Sequence, residues 1–271
     1  MNRQLFATIY KELRQRRWAI LSYCLIALAF IWMYMAIFPS FQKESAKFNE
    51  LLEAYPKALL EAFNIKDLQI STVEGYIAAE HFSFIWPIMV ILLMLSMAGQ
   101  AIAGEIERGT MAIMLSLPIS RIKIFFSKYL AGIVILSVFC VFSILSIFPL
   151  ASLIGLDVKT ENIWLVALVS FLFGWTILSA GMMVSSFAKE RSTVYFTIGG
   201  SLLVMYVFNV VSGLIESAEK LQYASIFYYY VPSEAIVKGD VDALPIIVMT
   251  TSAIVCTIIG AITFVRRDIS V

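Results

Sequence analysis

Six runs of mostly apolar residues, each long enough to cross a bilayer as a helix, constrain this chain more than any other feature. They are Trp18 to Phe38, Phe82 to Ala103, Ile124 to Leu150, Ile163 to Phe187, Val194 to Ile215 and Leu244 to Val265. A spanning helix needs roughly 20 apolar residues, so each run predicts one. With 61% hydrophobic and 14% charged residues, the chain of 271 has too little polar surface for a soluble globule. The expected fold is all-α and integral to the membrane, a single domain over 1–271 with about six transmembrane helices.

Charge sets the expected orientation. With the N-terminus inside, Arg3, Lys11, Arg14, Arg16, Arg17, Arg108, Arg121, Lys123, Lys128, Lys189, Arg191, Arg266 and Arg267 share the cytoplasmic side, and that includes every arginine. Lys43, Lys47, Lys57, Lys66, Lys159, Lys220 and Lys238 fall outside with most of the Asp and Glu. This follows the positive-inside rule and predicts both termini in the cytoplasm. The first run resembles a signal peptide in its basic flank, but it is longer than an h-region and lacks a small-residue cleavage site, so it reads as a retained span. The net charge of +1 gives no reason to expect a nucleic acid partner. Cys24, Cys140 and Cys256 each sit inside an apolar run, as packed thiols rather than metal ligands.

The segments between runs carry weaker patterns. Leu5, Ile9 and Leu13 recur every four residues while Arg3, Lys11 and Arg14 take other faces, which predicts an amphipathic inner-leaflet helix over 1–17. In the outer segment from Pro39 to Glu80, Phe48, Leu51, Leu52, Tyr55, Leu59 and Phe63 predict a surface-lying helix. The outer segment over 216–243 is broken by Pro232 and Gly239, and its run Phe227, Tyr228, Tyr229, Tyr230 reads by default as an interfacial aromatic belt. Closure of the outer mouth is the second reading. There is no internal repeat or linker that would mark another domain.

The stretch over 104–121, between the second and third runs, is the most informative: Gly-Glu-Ile-Glu-Arg-Gly-Thr-Met-Ala-Ile-Met-Leu-Ser-Leu-Pro-Ile-Ser-Arg. Gly109 can end one helix and Thr110 can cap another, whose Met111, Met114 and Leu115 share a face. Pro118 stops that helix, Leu117 is pushed towards extended geometry, and Ser120 can cap the third span. The result is a helical elbow with an apolar face and charged flanks at Glu105, Glu107, Arg108 and Arg121, suited to a groove on a cytoplasmic partner.

At these residues the sequence resembles the ABC-2 type of ABC transporter permease. A Glu, a Glu-Arg-Gly-Thr, a Leu and a Pro-Ile-Ser-Arg recur in this loop of the family. They stand here as Glu105, Glu107 to Thr110, Leu115 and Pro118 to Arg121. The order of elements agrees over nearly the whole chain. The resemblance implies a coupling helix between spans two and three that docks a separate ABC ATPase, with Glu105, Glu107, Arg108, Gly109, Thr110, Met114, Leu115, Pro118 and Arg121 as its coupling residues. It further implies a second permease copy or a homologous permease, a bacterial cell membrane, and export of a hydrophobic or amphipathic compound such as a peptide antibiotic or other toxic small molecule.

Other patterns narrow the function. No Gly-Lys-Ser or Gly-Lys-Thr closes a phosphate-binding loop, so ATP is expected on the partner subunit and no cofactor on this chain. Ion-coupled carriers usually place ionisable groups within their spans, and the middles of these six have none, which disfavours a secondary carrier. A non-transporting scaffold driven by an ABC-like ATPase is the other alternative, with the segment from Pro39 to Glu80 as its best feature. Glu80 and His81, at the outer start of the second span, read as interfacial anchors. Gln100 and Asn209 read as interhelical hydrogen-bond partners or, less strongly, as lining of a substrate path. Gly99 with Ala103, Ser170 with Gly174 and Gly174 with Gly181 permit close helix approach, within one subunit or across a dimer. No catalytic constellation or metal-ligand spacing appears, so no catalytic residue is assigned.

Overall fold

The computed structural model describes residues 2–54, 72–156, 158 and 161–268, with side chains at the same positions except 2–6, 43–54 and 216. Among the described residues eleven α-helices run in the order α1 (Asn2–Ala54), α2 (Val73–Ile77), α3 (Trp86–Ala101), α4 (Ala103–Glu107), α5 (Met111–Ser116), α6 (Arg121–Leu145), α7 (Ile147–Ile154), α8 (Ile163–Phe187), α9 (Arg191–Leu214), α10 (Pro232–Val237) and α11 (Ala243–Arg266). A π-helical stretch, Ala78–Ile85, joins α2 to α3, and a 3-10 helix, Glu216–Ala224, follows α9. No strand occurs among the described residues. Six stretches of the described residues are long and apolar enough to span: Ala7–Gln42, Val73–Ala101, Arg121–Ile154, Ile163–Phe187, Arg191–Leu214 and Ala243–Arg266.

Packing in a bilayer gains little from burial alone, because lipid tails are as apolar as leucine, so close backbone approach and hydrogen bonds do more of the work. The central helix α8 packs against α3, α6, α9, α10 and α11. Its small residues allow this: a Cβ on Gly174 would stand 2.4 Å from the Leu136 side chain, and one on Gly181 2.6 Å from the Ala98 Cβ. A Cβ on Gly99 would enter the Tyr195 ring of α9. These small residues therefore serve packing within one subunit. A polar cluster adds to it. The Tyr129 hydroxyl of α6 lies 2.8 Å from Ser179 Oγ on α8 and 2.7 Å from Thr257 Oγ1 on α11, and accepts the Trp175 indole N–H at 2.5 Å.

Helix α1 is longer than its apolar run because nothing at Arg17–Trp18 stops it; arginine, lysine and glutamine are good helix formers. The expected inner-leaflet helix is therefore continuous with the first span. Its buried stripe is Glu12, Cys24, Ala27, Ile31, Tyr34, Met35 and Phe38, with Leu13 and Ile20 packed on the same side and Lys11 and Arg14 exposed on the other. The helix also continues past Pro39 to Ala54, where the outer-segment helix was expected; Tyr55, Leu59 and Phe63 lie outside the described residues.

Two expectations about the face opposite the elbow need correction. The second span begins at Val73, so His81 is enclosed at 0% exposure rather than anchored at the interface, and neither ring nitrogen has a partner among the described residues. Tyr76, Ile77 and Phe82 bury against the bundle, and this tertiary packing extends the helix through residues that read locally as a polar loop. The aromatic run is not a lipid-facing belt either. Tyr230 is 2% exposed, stacks on Phe173 at 4.5 Å between ring centres, and donates its hydroxyl hydrogen to the Phe82 carbonyl at 2.8 Å. The segment folds inward because Pro232 opens α10, which packs on α8, and Gly239, at φ +67°, closes the turn against Asn162.

Candidate functional site at the elbow

The elbow is built where α3 breaks. At Ile102 the backbone leaves regular helical geometry, and Ser185 Oγ on α8 accepts the N–H groups of Ile102 and Ala103 at 3.3 and 3.0 Å. The short helix α4 then ends on Gly109 at φ +70°. The Gly109 N–H reaches the Ile106 carbonyl at 2.9 Å and the Thr110 N–H reaches the Glu105 carbonyl at 2.9 Å. This pair of bonds is the Schellman ending, which favours glycine at the left-handed position. Helix α5 follows, and Leu117 is extended (φ −73°, ψ 150°) ahead of Pro118, as the sequence predicts.

The two expected side-chain caps are not made. Thr110 occupies the N-cap position of α5, but its hydroxyl donates to the Glu105 carboxylate and carbonyl instead. A charged oxygen within reach takes the hydroxyl hydrogen. Ser120 has the extended conformation of an N-cap, yet only its carbonyl takes part, accepting from Lys123 and Ile124.

Charged groups tie the elbow to the bundle. Lys128 Nζ on α6, buried at 3% exposure, donates to Glu12 Oε1 on α1 at 2.6 Å and to Glu105 Oε1 at 3.2 Å. Arg16 pairs with Glu12 at 3.7 Å and Arg108 with Glu105 at 3.5 Å. Two carboxylates and three cations thus form one chain through α1, the elbow and α6. Burial pushes the Glu105 carboxyl up, but the Lys128 charge and the hydrogen bonds from Thr110 and Lys128 outweigh it and hold the group below the usual carboxylate range.

A second link reaches α9. Glu107 accepts from the Arg191 backbone N–H at 3.0 Å and from its guanidinium Nε and Nη2 at 3.0 and 3.2 Å. Those hydrogen bonds lower the Glu107 carboxyl. The C-terminal end closes the ring: Arg267 Nη1 donates to the carbonyls of Ser186 and Ala188 at the end of α8, and Arg121 Nη1 donates to the Arg267 carbonyl. Glu12 of α1 and Arg267 after α11 therefore both lie at the elbow face.

Of the nine expected coupling residues, Glu105, Glu107, Arg108, Thr110 and Arg121 join these networks, Gly109 makes the turn and Pro118 is exposed at the exit. The expected docking face turns largely inward. Met111 is buried, and Met114 and Leu115 pack on the bundle's own core, because α5 folds back over the helix ends. The apolar side chains that α5 and its exit present outward are Ile113, 66% exposed, and Leu117, 49% exposed. Sequence reasoning missed Glu12, Ser185 and the pairing roles of Lys128, Arg191 and Arg267. The cations read only as flanking charge.

Gln100 does not bridge helices: its Nε2 donates to Ser96 Oγ on its own helix at 3.0 Å. Asn209 is buried. Neither lines the cavity of about 270 Å³ between α8, α9 and α11, which is bounded by Thr176, Ser201, Met205, Tyr229, Met249 and Ser252 among others.

Comparison with curated proteins brings no match. Compared with protein families, residues 7–269 match the one described as ABC-2 family transporter protein. That match takes in all six candidate spans and the elbow, and the chain is therefore a multi-pass membrane protein of the ABC-2 transporter family, a permease component.

Proposed function

We propose that this permease is driven by a separate cytoplasmic ABC ATPase and exports a hydrophobic or amphipathic compound, such as a peptide antibiotic or other toxic small molecule, across a bacterial plasma membrane. The observation that carries the reading is the way the elbow is held. Ion pairs bind it to α6 and α9, and through Lys128 to Glu12 of α1, so a push on its outer surface is delivered to three spans rather than lost in a loose loop. The fall of every arginine in the chain on the elbow's side of the spans supports a cytoplasmic orientation. Ile113 and Leu117 are the apolar contacts offered to the ATPase, and Arg108 is exposed on the same elbow. A second permease copy, or a homologue, completes the pathway, and alternation between two arrangements of the paired spans moves the substrate. The cavity between α8, α9 and α11, largely apolar with hydroxyls at Thr176, Ser201 and Ser252, suits a hydrophobic compound.

The test is purification from the native cell in mild detergent, with mass spectrometry of what stays bound. A near-stoichiometric P-loop protein is expected with the native chain and is expected to be lost with Ile113→Asp/Leu117→Asp, while membrane insertion stays intact. Arg108→Glu should uncouple ATPase activity from transport. If no P-loop protein copurifies, or if the double variant retains it, the reading fails.

A further inference from the structure

The turns of α1 that carry Glu12 and Arg16 into the bundle have a second face. Lys11, Arg14 and Arg17 point the other way and are exposed, between Tyr10 at 67% and Trp18 at 69% exposure. At 100° per residue these five positions fall on one stripe, which runs on into the exposed apolar Leu21, Leu25 and Trp32. Tyr10, Lys11, Arg14, Gln15 and Arg17 border a shallow depression of about 320 Å³. The Arg17 guanidinium stands 5.5 Å from the centre of the Trp18 ring, a cation–π contact that holds the charge at the depth of the indole. None of the ion pairs among the described residues includes Lys11, Arg14 or Arg17, whereas Arg16, one position away, is paired.

We propose that this stripe is a binding site for the headgroup phosphate of an anionic phospholipid. Its place in the inner leaflet rests on the orientation proposed above; the binding chemistry does not. Depth along the helix favours a lipid over an acidic protein. At 1.5 Å per residue, Arg14 and Arg17 lie within about 10 Å of the lipid-facing Leu21, which is the separation between headgroup and hydrocarbon. An exposed tryptophan at that level is the usual interfacial anchor, and a cluster of cations beside a span attracts anionic lipid. Three donors of one sign around one depression also match a headgroup of net negative charge better than a zwitterionic one, whose own cation they repel.

The test uses the full chain reconstituted in phosphatidylcholine vesicles that contain spin-labelled phosphatidylglycerol or spin-labelled phosphatidylcholine in both leaflets, so that the result does not depend on orientation. The fraction of label immobilised by the protein is read by electron paramagnetic resonance. The native chain should hold phosphatidylglycerol about fivefold over phosphatidylcholine at low salt, with the ratio falling as salt rises. Lys11→Gln/Arg14→Gln/Arg17→Gln should bring the ratio to about one, and Arg14→Gln, which leaves enough cations to orient the span, to an intermediate value. Lys123→Gln/Lys189→Gln, on the same face but off the stripe, should leave it unchanged. A triple variant that keeps the preference overturns the site, as does a control pair that loses it equally. Competition by millimolar inorganic phosphate would reassign the stripe to a soluble anion. A triple variant that keeps lipid preference but loses the copurifying ATPase would reassign it to a protein contact.

Discussion

Replacing Lys128 by methionine would leave the Glu12 and Glu105 carboxylates in the same enclosed space without the cation that joins them. Removing one partner from a buried ionic group costs about 3–5 kcal/mol, so Lys128→Met should lower stability by that amount in denaturant titration of the solubilised protein. Glu12→Gln/Glu105→Gln/Lys128→Met should recover most of it, because no charge is left uncompensated. The pH dependence has a definite sign. Glu105 is held below the ordinary carboxylate value of about 4.3. A depressed folded value means that its contribution is fully present above the ordinary value and is lost as pH falls through the folded one. The stability difference between the native chain and Glu105→Gln should therefore be flat from about pH 8 to pH 5 and shrink below about pH 4. The Lys128–Glu12 bond joins residues 116 positions apart, so no local pattern announces it. In the sequence Lys128 reads as one more flanking cation and Glu12 as an ordinary polar residue.

Among the elements, the elbow was the most legible because its geometry is set locally. A glycine at positive φ and a proline that ends a helix act through backbone sterics alone. Gly109→Ala should cost about 1 kcal/mol through backbone strain, since nothing lies within 4 Å of the added Cβ. The Thr110 cap was misjudged because the direction its hydroxyl takes depends on where the Glu105 carboxylate comes to rest. The spans were legible to within a few residues where periodicity and apolarity coincide, as in α8. They were misjudged at Val73–Ile85, where Glu74, Gly75, Glu80 and His81 interrupt the apolar pattern and packing against α1 restores the helix. The tyrosine run failed for the same reason, since an interfacial belt and a buried aromatic cluster share a composition. The glycines distinguish packing from open surface. Gly181→Val would drive side-chain atoms into Ala98 and should sharply reduce the yield of folded protein. Gly200→Val, with nothing within 4 Å of its Cβ, should fold normally. Comparing monodisperse yield by size exclusion checks both.

For the whole molecule, α8 is the common partner, and the Tyr129 hydroxyl gathers α6, α8 and α11 around it. Tyr129→Phe should cost about 1 kcal/mol, the scale of hydrogen bonds between membrane helices, and should loosen all three helices together in hydrogen exchange. The Arg121, Arg191 and Arg267 contacts make the elbow face one connected layer, so the elbow and the helix ends should move as a body. The position of Lys128 has a further consequence for how the chain is made. Glu12 and Glu105 both precede it, so by the time the ribosome releases the third span its two counter-ions have already been synthesised. A cation that the fold encloses at the elbow end of the third span finds its neutralising partners waiting, and the first span becomes a chaperone in cis for the third. Deleting the first span should then lower the fraction of third spans integrated in a glycosylation-mapping assay, and Lys128→Leu should make integration independent of that deletion.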